Sequence, residues 1–595
     1  MKEEITSRIA ALRDRMRGAG IDATIVPQTD PHMGEYLAEH WQVRRWLSGF
    51  TGSAGSLVVT LDKAYVWADS RYWLQAAAQL EGTPIGVMED GKPQTPEIID
   101  FLCETLPAGA TVGVDGAVFS MTEARSMESK LEHCGKKLRV DFDPVAGLWI
   151  DRPALPSSEV FIHEEKYAGE SAGEKMHKVL KQTEASGADS IFISDLAEVA
   201  WILNLRSSDV SCNPVLTSFL YLAPQGSALF IDKAKVTPEV NAYLAGIGVT
   251  VQPYNSALEF LNALPSTARV LVNPSQTSSA VFDALGTKAV EGVSPVALFK
   301  AVKNPMQIAG FRAAMERDGA ALVAGVMELE ERLAAGEQLT EITVDEILTA
   351  HRRKSPMFFD LSFDTIAGYG ANGAIVHYSA RPETAATLKP EGLLLIDSGV
   401  NYFDGTTDIT RTIALGKVSD QMRRDFTLVM KGHIALATAE FPEGTSGAQL
   451  DVLARISLWK HGLSYGHGTG HGVGHFLNVH EGPQRIALTG NPAPLMPGMV
   501  TSDEPGVYRA GEYGIRCENL ILTIPAETTE FGNFYKFEIL TLFPFDLRLF
   551  DTSIMTDDEI AWVNNYHETV RARLLPHLDE KQARWLETHT AVLTR

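Results

Sequence analysis

Apolar side chains in the first twenty residues fall at Ile5, Ile9, Leu12 and Met16, with charged residues between them. That is the 3.6-residue period of an amphipathic helix. The short apolar run in DATIVPQ then reads as a strand, and SLVVT and AYVWAD read as a strand pair entered from the glycine-rich GFTGSAG, Gly49 to Gly55. SRYWLQAAAQL returns to helical spacing. The glycines precede no helix and lack the GxGxxG order, so a hairpin approach is a better reading of them than a phosphate-binding loop. Pro153 and Pro156, in PVAGLWIDRPALPSS, mark a linker.

The pattern then repeats. Gly20-Ile-Asp-Ala-Thr-Ile-Val follows the first helix, and Gly187-Ala-Asp-Ser-Ile-Phe-Ile follows a helical pattern over 173–186. Each leads to a Trp-led segment, WLSGF at Trp46 and WILNL at Trp201, and SFLYLA and SALFID take the places of SLVVT and AYVWAD. Two related α/β domains in tandem are expected, over residues 1–155 and 156–302, with a third over 303–595.

The third segment opens with helical patterns from Pro305 to Ala335 and from Val344 to Arg352. FDTIAGYGANGAIVHY then leads into LLLIDSGVNYFDGTTDITRTIAL, Leu393 to Leu415. Two strand-like runs there each deliver a carboxylate, Asp397 and Asp408, and the Asp-Gly pair between them predicts a tight antiparallel hairpin that brings both to one side. An Asp closing an apolar run needs a partner, and a cation is one. Two Asp near a turn also fit a solvated, turn-capping pair. The same ligand chemistry recurs at His471 in GHGTGHGVGH, Glu504 in VTSDEPGVY and Glu518 in GIRCENLIL. One imidazole and four carboxylates make an oxygen-rich set that suits Mn or Co better than Zn, and two of the carboxylates can bridge a pair of ions. Helical patterns follow over 420–440 and 446–460, and a closing helical pair follows Phe550.

Composition acts mainly by exclusion. A chain of 595 residues exceeds one core and fits three domains. The formal charge of −23 argues against nucleic acid or an anionic membrane as partner. Cys103, Cys134, Cys212 and Cys517 lie far apart without CxxC pairing, so neither a disulfide framework nor a zinc knuckle is expected, in keeping with a reducing compartment. The charged N-terminus lacks a signal peptide's apolar core and no run is long enough to span a bilayer, so a cytoplasmic protein is expected.

AIVHY, IDSG, TTDITRT, HGTGHGVGHFLNVHEGP, EPGVY and GIRCENL, in that order, resemble the pita-bread dinuclear metallopeptidases, most closely the three-domain Xaa-Pro aminopeptidases. GFTGSAG and DSRYWLQ resemble that family's N-terminal domain. The resemblance implies an α/β (α+β) chain of two creatinase-N-like α/β domains followed by a pita-bread metallopeptidase domain, working as a homodimer. It implies two divalent ions, Mn2+ first and Co2+ or Zn2+ as alternatives, with Asp397 on one, His471 and Glu504 on the other, and Asp408 and Glu518 bridging. A water or hydroxide between the ions would be the nucleophile, and Glu504 would also move the proton. His377 and His480 resemble the substrate-facing histidines that stabilise the carbonyl oxygen's developing charge. His467 resembles a residue beside the pocket of the second substrate residue, and Arg71 of DSRYWLQ one that contacts substrate across a domain boundary or from a neighbouring subunit. Arg516, on the same strand face as Glu518, serves either the site's carboxylates and substrate or the surface, and Arg71 has the same surface alternative. Cys517 points the other way as a buried small residue, and His433 and His475 read as core histidines.

The expected activity is release of the residue ahead of proline from peptides with proline second, a bond whose nitrogen lacks the N–H of ordinary peptide bonds. An Xaa-Pro dipeptidase shares the chemistry, and a pita-bread binding module without metals is the alternative of another class. All five ligand positions are present, against the last reading. Near HGTGHGVGHF and VHEGP the acidic chain offers no obvious basic cluster beyond Arg485 and Arg516 to receive a dipeptide's free carboxylate, which favours the aminopeptidase.

Overall fold

The first helix, Lys2–Ala19, buries Ile5, Ile9, Leu12 and Met16, the four residues that its apolar period singles out. In the computed structural model, which describes residues 2–489 and 492–595, the chain divides into two units. One comprises the residues up to His163 with Glu170–Val296, and the other Glu164–Gly169 with Ala297–Arg595.

Among the described residues the first unit holds two six-stranded sheets. Strand Ala23–Val26 is central in one, antiparallel to Ser56–Thr60 and parallel to Thr111–Gly113, with Ala64–Ala68 and Gly86–Glu89 beyond the former and Lys137–Arg139 beyond the latter. Strand Ser190–Ile193 is central in the other, between Ser218–Leu222 and Val270–Val272, with Ser227–Ile231 and Val249–Gln252 outside the former and Ala289–Glu291 outside the latter. Order and direction agree at every position, so the repeat read at Gly20 and Gly187 is a repeat of topology. GFTGSAG wraps an arginine: the buried Arg44 guanidinium donates to the carbonyls of Gly52, Ala54 and Gly55. Gly55 has φ +107° and a Cβ there would lie 2.4 Å from the Trp67 carbonyl oxygen, so only glycine fits.

One expectation is corrected in this unit. Cys103 and Cys134 form a disulfide, with Cα atoms 5.8 Å apart. Their 31-residue separation hides the contact, because Cys103 lies in helix Ile98–Thr105 and Cys134 caps helix Met121–His133, which packs against it. Cys212 and Cys517 are buried and take no part in a disulfide.

The second unit begins its longest helix, Pro305–Ala334, at a capping box in which Asn304 accepts from the Gln307 N–H and the Gln307 side chain accepts from that of Asn304. Pro305 in the first turn fixes the start, and Gly336 at φ +80° follows the end. The helix carries a buried Asp318, whose carboxylate accepts from Arg352 Nε at 2.8 Å and Nη2 at 2.9 Å, from the Tyr402 hydroxyl at 3.0 Å and from Thr407 Oγ1 at 3.1 Å. Strand Leu393–Ser398 lies between Ile366–Tyr369 and Ile409–Ala414, antiparallel to both. A six-stranded sheet runs Phe441–Pro442, Gly532–Ile539, Asn519–Thr529, Val500–Asp503, Gly470–Gly472, Glu481–Ile486. Helices Asp420–Ala437 and Gly447–Trp459 and the closing pair Asp557–Leu574 and Glu580–His589 bury their apolar faces in this unit, with Phe426, Leu458, Val563 and Leu586 in one core. Among the described residues no helix is long and apolar enough to cross a membrane.

The Asp318 cluster generates a stability prediction. Asp318→Ala leaves the Arg352 guanidinium buried without its carboxylate, and this should cost about 3–5 kcal/mol. Native-state hydrogen exchange at the amides of helix Pro305–Ala334 measures it, and a change below about 1 kcal/mol contradicts the account.

Candidate metal centre

Asp397 is the penultimate residue of strand Leu393–Ser398, opposite Thr410, and Asp408 immediately precedes strand Ile409–Ala414. The antiparallel pairing expected of them is present, but the hairpin is bent. Its tight turn falls at Phe403–Asp404, between the paired Tyr402 and Gly405, and that tip joins Phe358–Leu361 in a separate three-stranded sheet. Gly399 permits the bend, since a Cβ there would lie 2.1 Å from the Thr407 carbonyl oxygen and 2.2 Å from Ser362 Oγ.

The other candidate ligands come from neighbouring strands and their ends. His471 is the middle residue of Gly470–Gly472, Glu504 follows Val500–Asp503, and Glu518 sits between Tyr513–Arg516 and Asn519–Thr529. Main-chain bonds lock both glutamates, from the Glu504 N–H to the Thr469 carbonyl at 2.8 Å and from the Glu518 N–H to that of Thr410 at 3.1 Å. One ligand atom each from Asp408, His471 and Glu518 lie within 4.8 Å of one another. His471 Nε2 is 3.4 Å from Asp408 Oδ2 and 3.7 Å from Glu504 Oε1. Its Nδ1 lies 3.0 Å from the Gly472 carbonyl, which only accepts, so Nδ1 carries the proton and Nε2 faces the acids.

The donor set fits divalent cations. Asp397 Oδ2 accepts from Arg516 Nη2 at 2.6 Å, whereas its buried Oδ1 receives no hydrogen bond from the described residues. Burial pushes the Asp397, Glu504 and Glu518 carboxyls up, Glu504 to about 8. The Asp408 charge adds to all three rises, and Arg516 opposes those of Asp397 and Glu504. Such a cluster is stable as carboxylates only beside further positive charge. Oxygen donors with one imidazole favour a hard or intermediate divalent ion.

Arg516 is 1% exposed, which excludes the surface reading. Besides Asp397, it donates from Nε to Thr410 Oγ1 at 3.1 Å and from Nη1 to the Tyr508 hydroxyl at 2.8 Å, and Thr410 Oγ1 donates to Glu518 Oε2 at 2.7 Å. His467 Nε2 lies 2.8 Å from the same Tyr508 hydroxyl, so one chain of polar contacts joins Asp397, Arg516, Tyr508 and His467. His480 presents its ring edge-on to His471, centroids 4.4 Å apart. His377 follows the short helix Gly370–Ala374, which is pressed against strand Tyr513–Arg516 so closely that a Cβ on Gly514 would lie 1.7 Å from the Gly373 carbonyl oxygen. Arg516 Nη2 also approaches the carbonyl of Val376, the residue before His377, at 3.4 Å.

Three residues with structural roles here escaped the sequence reading: Thr410, Tyr508 and Asn519. His433 is a core histidine, as expected, but one wedged behind the ligand strands. Its Nδ1 lies 3.2 Å from Asp503 Oδ2, and Asn519 Nδ2 donates to its Nε2 at 3.1 Å. Asp503 and Asn519 neighbour Glu504 and Glu518 in sequence, so the imidazole ties the two strands together. His475 is buried with its ring edge-on to Phe311. Burial pushes the Cys517 thiol up to about 12, consistent with a packing role. Arg71 belongs to the first unit, where its guanidinium pairs with Asp69 at 3.0 and 2.7 Å.

Comparison with known proteins bears on this constellation. Residues 309–524 match metallopeptidase family M24, and 533–593 match the C-terminal region of peptidase M24. Residues 8–147 and 151–307 each match a creatinase/prolidase N-terminal domain. The chain is 40% identical to aminopeptidase P2 of Arabidopsis thaliana over 617 residues, covering 97% of this chain and 87% of that protein. It is 36% identical to Xaa-Pro aminopeptidase 1 of Dictyostelium discoideum over 98% of this chain and 96% of that protein. The X-prolyl aminopeptidase of Caenorhabditis elegans, described as a cytosolic enzyme with a di-nuclear active site, superposes with a TM-score of 0.95 over 100% of both chains at 32% identity.

The ligand assignment makes a graded prediction for metal content. If Asp408 and Glu518 bridge two ions as the resemblance implies, Asp408→Ala or Glu518→Ala should lose close to two ions per chain and Asp397→Ala about one. Elemental analysis of the purified variants measures this. Two retained ions in Asp408→Ala or Glu518→Ala would contradict the bridging roles.

Proposed function

The chain belongs to the Xaa-Pro aminopeptidases of metallopeptidase family M24, and from that membership we propose that it hydrolyses the bond between an N-terminal residue and a following proline. The single observation that carries the reading to this chain's own residues is the meeting of Asp408, His471 and Glu518 at ligand distance, with Glu504 beside His471 and Asp397 beside Arg516. Asp397, Asp408, His471, Glu504 and Glu518 would hold two divalent ions, for which the donor set favours manganese, with cobalt or zinc as alternatives. Bound there, the ions supply Lewis acidity, lowering the pKa of a water and polarising the scissile carbonyl.

The chain's own groups do the rest. Glu504 takes up a proton from the attacking water and returns it to the proline nitrogen as the bond breaks. His377 and His480 donate hydrogen bonds to the carbonyl oxygen as it gains negative charge. His467, held at the Tyr508 hydroxyl, borders the space for the proline ring. Arg516 orients Asp397 and, through Thr410, Glu518, while Arg71 remains a proposed substrate contact.

We place the domain boundaries at 1–155, 156–302 and 303–595. A homodimer is supported by Val452, Ile456 and Trp459, spaced by four and three along helix Gly447–Trp459 and 38%, 41% and 40% exposed. Three large apolar side chains on one helix face are a candidate subunit contact. A cytoplasmic location is supported by the C. elegans enzyme's description as cytosolic, while the Cys103–Cys134 disulfide points the other way.

Substrate length separates this activity from that of a dipeptidase. Peptides beginning Xaa-Pro-Xaa should lose one residue, Xaa-Pro dipeptides should be poorer substrates, and alanine in place of proline should lower kcat/KM by roughly 10- to 200-fold. Product analysis by mass spectrometry reads all three. Cleaved dipeptides with inert tripeptides would make the enzyme an Xaa-Pro dipeptidase instead.

A further inference from the structure

Glu481, the residue after His480, is clamped by two lysines. Its Oε2 accepts from Lys300 Nζ at 2.6 Å and its Oε1 from Lys303 Nζ at 2.5 Å. The Glu481 side chain is 1% exposed, that of Lys303 0% and that of Lys300 8%. Lys303 is anchored further, donating from Nζ to the Lys300 carbonyl at 3.0 Å and from its main-chain N–H to the Gly498 carbonyl at 2.9 Å. Burying two ammonium groups and one carboxylate together is an arrangement that desolvation opposes, so hydrophobic stability alone does not account for it. Burial pulls Lys303 down, whereas at Glu481 the two lysines outweigh burial and hold the carboxyl low.

The clamp sits where it can govern the catalytic loop. Glu481 pairs with Gly472, the residue after His471, across a register break between the two strands. A Cβ on Gly474 would lie 3.1 Å from Glu481 Oε2 and 2.7 Å from the Asn478 carbonyl oxygen, so the carboxylate fills the crook of the 474–478 turn. His480 is thus the chain neighbour of the locked residue, and its ring meets that of His471.

We propose that Glu481, gripped by Lys300 and Lys303, is a positioning residue for the reaction: it fixes the backbone from which His480 reaches the substrate carbonyl. The inference rests on the role given to His480 above. A double-mutant cycle on the metal-loaded enzyme with an Xaa-Pro-Xaa peptide separates the two, comparing wild type, Glu481→Gln, His480→Ala and the double variant, with metal content measured for each. Glu481→Gln should keep two ions and a KM within about twofold of wild type while kcat falls about 10- to 100-fold, the size expected of a small misplacement. In the His480→Ala background the same substitution should change kcat by less than about twofold, because the side chain it positions is gone. Independent, multiplicative losses, or wild-type kcat in Glu481→Gln, would overturn the clamp alone. Wild-type kcat in His480→Ala would overturn the His480 assignment and the clamp with it. If Glu481→Gln does not accumulate as folded protein, Lys303→Met, which leaves one lysine on Glu481, enters the same cycle with the same criteria.

Discussion

Four carboxylates, Asp397, Asp408, Glu504 and Glu518, converge in one site, where burial pushes the Asp397, Glu504 and Glu518 carboxyls up, and Arg516 is the guanidinium that reaches Asp397 there. A buried, uncompensated carboxylate costs several kcal/mol, and one arginine cannot offset four. Much of the second unit's polar interior follows from that imbalance. Thr410 passes the Arg516 contact on to Glu518, His433 bridges the strands that carry Glu504 and Glu518, and Arg411 donates to the Glu518 carbonyl and to Asn519 Oδ1. Each of these fixes a carboxylate or its strand before any ion arrives. Such preorganisation turns an acidic cluster into a binding site of defined shape.

The strands do the placing. Asp397 and Asp408 flank a bend that only Gly399 permits, and the tip of the hairpin is carried away into a second sheet. Tyr402 and Thr407, on either side of that tip, are pinned from behind by Asp318 of the long helix, itself paired with Arg352. The hairpin is thus held from two sides, by charge at its front and by a buried ion pair at its back.

How much of this could be read in the chain depended on whether a residue broke a local rule. Asp397 closing an apolar strand, and acids recurring on short apolar elements, are violations that point to a ligand, and three of the positions singled out, Asp408, His471 and Glu518, are brought together by the fold. The tandem α/β units were legible because the repeat places like elements in like order, and the two sheets share one strand order. Thr410, Tyr508 and Asn519 break no rule, being ordinary strand residues until the partner strand is known. The Cys103–Cys134 bridge and the Lys300–Glu481–Lys303 clamp were hidden differently, since they join segments 31 and at least 178 residues apart that only the fold brings together. The bend of the hairpin was missed because an Asp-Gly pair signals a turn without saying which strands flanking it stay in one sheet.

The central claim is that five named side chains hold two ions at one site. Crystals of the protein prepared with manganese and measured across the manganese absorption edge test it directly. The account predicts two anomalous peaks per chain, about 3.5–4 Å apart, both contacted by Asp408 and Glu518, with Asp397 on one and His471 and Glu504 on the other. A single peak, or a pair whose contacts leave out Asp408 and Glu518, would contradict it.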